Sequence, residues 1–180
     1  MLARTAYHEA GHVVVAMALG LPVERVTIRP TETLRGSVRL DLPDYDAPGP
    51  ILTPEQRVTI GIAELAFSLG GPIAEAIAFG AEDTGSWRDH AEADAAVDRT
   101  CDVAGVLSRQ WRSWASARVE SYLRQNWPLV ERLVVALLMK PTLSGARVRE
   151  ITGPVPRLDL TATLNGIKHW SGVMAARVRA

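Results

Sequence analysis

The chain has 180 residues, 47% hydrophobic and 22% charged, and its 20 basic and 20 acidic side chains cancel to zero formal net charge. That length favours one domain whose core is large enough to stand without covalent staples. Zero net charge removes any global electrostatic reason to expect nucleic acid or an anionic membrane as partner. The single cysteine, Cys101, excludes an internal disulfide.

Taken in chain order, residues 3–19 contain no proline and many helix-compatible apolar residues, so a helix is expected there, stopped by Gly20 and Pro22. Val13, Val14 and Val15 are poor helix formers in isolation, so burial must hold that turn. This apolar run follows a His-Glu pair and ends at Gly20, which does not fit a secretory leader. Residues 23–29 and 36–42 read as two strands, the second alternating Val38, Leu40 and Leu42 against Ser37, Arg39 and Asp41. Residues 30–35 join them as a small antiparallel pair. Three prolines in residues 43–50 predict a surface loop.

Thr53-Pro54-Glu55-Gln56 has the form of a helix start, with Thr as cap and Pro at the first helical position. That helix is expected to reach about Leu69. Gly70-Gly71-Pro72 predicts a break, and a second helix from Pro72 to near Gly80. Two buried helices of that length are each too short to cross a membrane. A loop over 81–86 precedes helices over 87–106, 113–125, 128–139 and 144–151, beyond which Gly153, Pro154 and Pro156 make the chain irregular. The expected class is mostly α with a small β-sheet (α+β). Cys101 reads as a small buried hydrophobe in a helix. The five tryptophans (Trp87, Trp111, Trp114, Trp127 and Trp170) read as structural, and Arg109, Arg112 and Arg118 as a solvated helix face.

The chemistry centres on His8-Glu9-Ala10-Gly11-His12, an HExxH pattern. On a helix, i and i+4 share a face, about 6 Å apart along the axis. Two imidazoles so placed can bind one zinc ion through ring nitrogens. Glu9 points to the neighbouring side, where it can reach a metal-bound water rather than the metal. With the pKa of that water lowered to about 7, Glu9 can take its proton at neutral pH, and the water can attack a peptide carbonyl. Gly11 costs about 1 kcal/mol relative to Ala inside a helix, which points to close approach by another element. Zinc takes a third protein ligand and leaves a fourth position for water. Residues 13–19 hold no further His, so this ligand comes from far along the chain. Glu75, Asp89, His90, Glu92 and Asp94 are the candidates, and spacing does not choose among them.

Several segments together resemble the peptidase domain of the FtsH family of membrane-anchored AAA+ zinc proteases. Thr5-Ala6-Tyr7-His8-Glu9-Ala10-Gly11-His12 resembles that family's metal-binding helix, and Val26-Thr27-Ile28-Arg29-Pro30 the strand after it. The run from Leu69-Gly70-Gly71-Pro72 through Phe79-Gly80 resembles its LGGRxAEExxFG segment, and Thr84-Gly85-Ser86-Trp87-Arg88-Asp89 its TGAxxD segment. Thr142-Leu143-Ser144-Gly145 through Glu150-Ile151 resembles its closing helices. The likeness covers about residues 4–151, in the family's order. It implies that Asp89 is the third zinc ligand and that Glu75 orients a ligating His. His90 is then the best alternative ligand, and His169 lies beyond the match.

The departures bear on substrate preference more than on metal binding. Ala76 replaces the second acid of AEE, and Trp87 and Arg88 stand before Asp89. No GxxxxGK[ST] phosphate-binding sequence occurs. The resulting expectation is a cytoplasmic, ATP-independent zinc metalloendopeptidase that cuts flexible or unfolded polypeptides. It holds one zinc per chain on His8, His12 and Asp89, with Glu9 as base. Residues 1–151 would form the peptidase domain and 152–180 a C-terminal extension. Gly36, Ser37, Val38, Arg39 and Leu40 form the candidate edge strand for substrate. No nucleic acid and no membrane span are expected. A homo-oligomer is an option, since that family's peptidase domains form sixfold rings. The rival is a non-catalytic or latent metal-binding domain of the same fold that regulates a partner.

Overall fold

The first helix, α1 (Leu2–Leu19), is apolar around most of its girth, and the fold buries it accordingly: Val13, Val14, Val15 and Ala16 are fully enclosed. Burial on every side is what holds a β-branched run in a helix that its propensity alone would not favour. The computed structural model describes residues 2–42, 53–104 and 108–160. The loop expected at 43–50, the helix end expected at 106, and His169, Trp170, Arg177 and Arg179 lie outside the described residues. So do the side chains of Cys101 and Arg109.

After α1 come β1 (Val23–Thr27) and β2 (Ser37–Leu40), then α2 (Pro54–Phe79) and a short 3-10 turn at Thr84–Ser86. The helices α3 (Trp87–Ala104), α4 (Ser108–Gln125) and α5 (Trp127–Met139) follow, then β3 (Thr142–Ser144) and α6 (Gly145–Thr152). The class is mostly helical with a small antiparallel sheet. β1 and β2 pair as expected, with Val26 opposite Val38 and Thr27 opposite Ser37. The sheet has a third strand that the sequence did not reveal. β3 pairs with β1, Val26 opposite Leu143, giving the order β2-β1-β3. Three residues are too few to display an alternation, and Ser144 already serves as the N-cap of α6. The consequence is that β1 is central and β2 is an edge.

The expected break at Gly70-Gly71-Pro72 does not occur: α2 is one helix of 26 residues with Pro72 inside it. Its start follows expectation, because Thr53 and Gln56 form a reciprocal capping box with Pro54 in the first turn. A proline inside a helix costs about 3 kcal/mol. Here packing offsets that cost, since Leu65, Ala66, Leu69 and Ala74 on both sides of the proline are buried. The glycines that suggested a stop are instead the contact with α1. A Cβ on Gly11 would fall on the Gly70 carbonyl and lie 2.5 Å from Ala74 Cβ, so the two helices cross nearly backbone to backbone. Because α2 is continuous, residues 56–79 are long and apolar enough to span a membrane by length and composition, unlike the two short helices expected. More than half of that stretch is buried inside the fold, and it carries Glu64 and Glu75.

Residues 153–160 form an extended strap with no regular element. Its Leu158 N–H donates to Ala18 O (3.1 Å), and Arg118 Nη2 donates to Asp159 O (2.7 Å). Tyr122 donates its hydroxyl proton to Pro156 O. The described part of the extension therefore packs on α4 and on the end of α1 away from His8. Arg118 is tied to that strap and Arg112 to His90 and Asp94, so neither belongs to a merely solvated face.

Candidate metal centre

His8 and His12 sit one turn apart on α1 and project into a cleft between that helix, the β1–β2 side and the start of α3. Each ring is held by its Nδ1. His8 Nδ1 donates to Glu75 Oε1 (2.8 Å), and His12 Nδ1 donates to the carbonyl oxygen of Phe67 (2.8 Å). Both partners come from α2, on either side of Pro72. With Nδ1 donating on each ring, the two Nε2 atoms face the cleft and lie 3.0 Å apart. Two ring nitrogens at that distance need a proton or a metal cation to hold them together.

Asp89, in the first turn of α3, completes the convergence. Its Oδ2 lies 3.1 Å from His8 Nε2 and its Oδ1 3.3 Å from His12 Nε2. Ligand atoms of all three residues fall within 4.8 Å of one another, and among the described residues this is the group of that kind. A tetrahedral ion bound at about 2.0–2.1 Å separates its ligands by about 3.3 Å, so the spacing suits a small divalent cation. The room comes from α2. A Cβ at Gly71 would fall on His12 Nε2 and come within 2.6 Å of His8 Nε2.

The electrostatics agree. Burial by itself would lower the pKa of His8, but hydrogen bonds to Asp89 and Glu75 outweigh it and push it up to about 10. Burial would raise Asp89, yet hydrogen bonds to His12 and His8 hold it well below the usual carboxylate range. Glu75 is likewise lowered, against its partial burial, by His8, by the Asp83 N–H and by Arg4. The cluster thus demands positive charge at its centre. Glu9 differs: burial pushes its carboxyl up to about 7, with His12 and His8 opposing. It lies at the wall of the same cleft, outside the three-residue donor group.

Residues 2–106, more than half of the chain, match the family described as peptidase family M41. The chain belongs to peptidase family M41. It is similar to the ATP-dependent zinc metalloprotease FtsH 1 of Sorangium cellulosum (strain So ce56), 31% identical over 82% of this chain and 29% of that protein. The FtsH 4 protein of the same organism is 28% identical over 83% of this chain and 28% of its own length. The ATP-dependent zinc metalloprotease FtsH of Chloroflexus aggregans (strain MD-66 / DSM 9485) is 44% identical over 43% of this chain and 11% of its own length. The chain therefore spans less than a third of the length of these relatives.

The M41 domain also separates the five residues that spacing left open. Asp89 faces the histidine pair, and Glu75 faces the back of His8. His90 points away, with Nε2 on Glu82 (2.8 Å) and Nδ1 facing Arg112 Nη2 (2.7 Å). Glu92 pairs with Arg88 (3.1 Å), and Asp94 with Arg112. Of the expected edge strand, Gly36, Ser37 and Val38 line the cleft. Arg39 turns outward to Glu24 (2.8 Å), and Leu40 packs against the core. Trp87 departs from the structural reading: it is 71% exposed and lines the cleft. Trp111 is buried and stacks on Trp114, and Trp127 stacks on Tyr7.

Four contributors to this M41 site carry no signal that sequence reasoning picked up. Phe67 acts through its carbonyl, which any residue could supply, so nothing in its identity marks it. Gly71 could have been found as a second glycine in an apolar helix opposite Gly11. Arg4 donates to Glu75 Oε2 (3.2 Å) and to Ala81 O (2.9 Å) while its guanidinium lies over the Phe79 ring. Asp83 gives its backbone N–H to Glu75 Oε2 (2.8 Å). The last two belong to no sequence pattern that would single them out.

Proposed function

We propose that this chain is a zinc endopeptidase acting on flexible or unfolded polypeptides, with His8, His12 and Asp89 as ligands and Glu9 as general base. The observation that carries the reading is the convergence of two Nε2 atoms and one carboxylate beside a separate buried carboxylate. Bound there, zinc would polarise the scissile carbonyl and bring the pKa of water to about 7. Glu75 and the Phe67 carbonyl hold both imidazoles with Nε2 facing the cleft. The Glu9 carboxylate accepts a proton from the attacking water and passes it to the departing amine nitrogen. A carboxyl pushed up to about 7 suits both transfers near neutral pH. An extended substrate would add to the outer edge of β2 through the backbone groups of the alternate residues along 36–38 that face away from β1. Leu34, Val38, Phe67 and Trp87 line the cleft and favour apolar side chains near the cut.

These 180 residues hold no phosphate-binding GxxxxGK[ST] sequence, and the hydrolytic step as proposed uses no nucleotide. With one cysteine and no disulfide to protect, a reducing compartment such as the cytoplasm is the proposed location. The test is cleavage of casein, an unfolded protein, by the zinc-loaded chain. Cleavage is expected, with loss on chelation and return when zinc is restored. Zinc bound without cleavage would point instead to a non-catalytic or latent domain.

Zinc uptake should also release protons. With its pKa at about 10 in the metal-free site, His8 carries a proton at neutral pH that the metal must displace. Below that pKa, apparent affinity should therefore rise about tenfold per pH unit from this group alone. Calorimetry at about pH 7.5 in buffers of different ionisation enthalpy should find about one proton released per zinc. Release of none would mean that the metal-free pair is already neutral.

A further inference from the structure

Two loops meet across the mouth of the cleft. One is the β1–β2 connection, which carries Arg35 and Gly36. The other is the α2–α3 connection, which carries Asp83 and Gly85. The Arg35 guanidinium forms an ion pair with the Asp83 carboxylate, and it also lies over Gly85, where a Cβ would come within 3.3 Å of it.

What each loop does next gives the pair its meaning. Beside Arg35, Gly36 lies directly against the proposed base: a Cβ there would be 2.6 Å from Glu9 Oε1 and 2.8 Å from the Thr27 carbonyl. Beyond Gly36 begins the β2 edge, of which Ser37 and Val38 line the cleft. At the other loop, the Asp83 N–H holds Glu75 Oε2 (2.8 Å), while Glu75 Oε1 holds His8 Nδ1 (2.8 Å). One ion pair thus ties the wall that confines the base and presents the substrate edge to the turn that anchors the orienter of a ligand.

We propose that Arg35 and Asp83 are positioning residues that clasp the two walls of the cleft and fix the Gly36–Val38 edge for substrate. The proposal rests on the endopeptidase reading for its substrate, but not for its geometry. Neither side chain belongs to the donor group or touches the ligand nitrogens. Losing the clasp should therefore loosen the edge strand and weaken substrate binding, while metal uptake and the chemical step persist. Exposed ion pairs hold a geometry by small factors, about 2 to 5. The expected effect is accordingly modest and falls on KM rather than kcat.

The experiment compares Arg35→Asp, Asp83→Arg and the double exchange in the full chain. Kinetics are measured on zinc-loaded protein with casein, and amide hydrogen exchange over residues 36–38 on metal-free protein. Each single variant should raise KM about 3- to 5-fold, keep kcat within about twofold, and speed exchange over residues 36–38. The double exchange restores the ion pair with reversed polarity, so it should recover both KM and protection. Exchange over 36–38 unchanged in the single variants would overturn the clasp, as would a double variant no better than the worse single. If the wild type binds zinc yet cuts no casein, the endopeptidase reading fails, and the exchange measurement still decides the clasp.

Discussion

Replacing Glu9 with Gln should lower casein cleavage by about 10²- to 10⁴-fold, the usual contribution of a positioned general base, while zinc content stays at about one ion per chain. The two readouts separate because Glu9 is not in the donor group, which consists of His8, His12 and Asp89. Gln keeps the volume and fits the space against Gly36, where Glu9 Oε1 lies in close contact. It removes only the ability to accept a proton at the carboxylate. The substitution also removes an ionisable group from a site where burial disfavours its charge, so folding should not suffer. Metal analysis and initial rates on the same preparation make the measurement. A variant that keeps more than about a tenth of wild-type activity would sink Glu9 as the base, since even the weakest general-base effect exceeds that.

Replacing Gly71 with Ala should cost zinc affinity at least about 100-fold, the upper end of what disturbing a ligand's orienting partner does. Cleavage should fall with it. By helix propensity alone the change is favourable, because Gly inside a helix is about 1 kcal/mol worse than Ala. The tertiary structure reverses that preference. The added methyl would fall on His12 Nε2 and come within 2.6 Å of His8 Nε2, in the space between the two donors. Neither imidazole can swing aside, since Glu75 and the Phe67 carbonyl fix both Nδ1 atoms. Competition with a chelating dye gives the affinity, and thermal unfolding of the metal-free protein gives the stability. The expected pattern is lost metal with an equal or lower melting temperature, because the clash also overpacks the metal-free site. Wild-type zinc affinity in this variant would mean that α2 does not pass behind the histidines as described.

Much of this protein is set locally. The HExxH spacing needs only a helix, and residues 2–19 suggest one by composition and the stop at Gly20, although burial holds its turn at Val13, Val14 and Val15. Two ring nitrogens on one face, a carboxylate beside them and a glycine awaiting a neighbour follow from a repeat of 3.6 residues. The capping box at Thr53 and the pairing of β1 with β2 are equally local. Asp89 and Glu75 came from resemblance to a family, not from spacing, because no periodicity connects residue 89 or 75 to residue 8. Which acid turns toward the histidines depends on how α3 and α2 pack against α1.

The tertiary structure decided the remainder for the same reason. Pro72 and its glycines read locally as a break, yet burial on both sides carries α2 through them and makes the glycines a crossing point. β3 is too short to signal itself and exists because β1 offers it a partner. The carbonyl of Phe67, the guanidinium of Arg4 and the Arg35–Asp83 pair act on residues tens of positions away. Local sequence sets which groups a helix presents on one face. Only packing sets which distant groups are brought to meet them, because that depends on the summed burial of the whole chain rather than on any one segment.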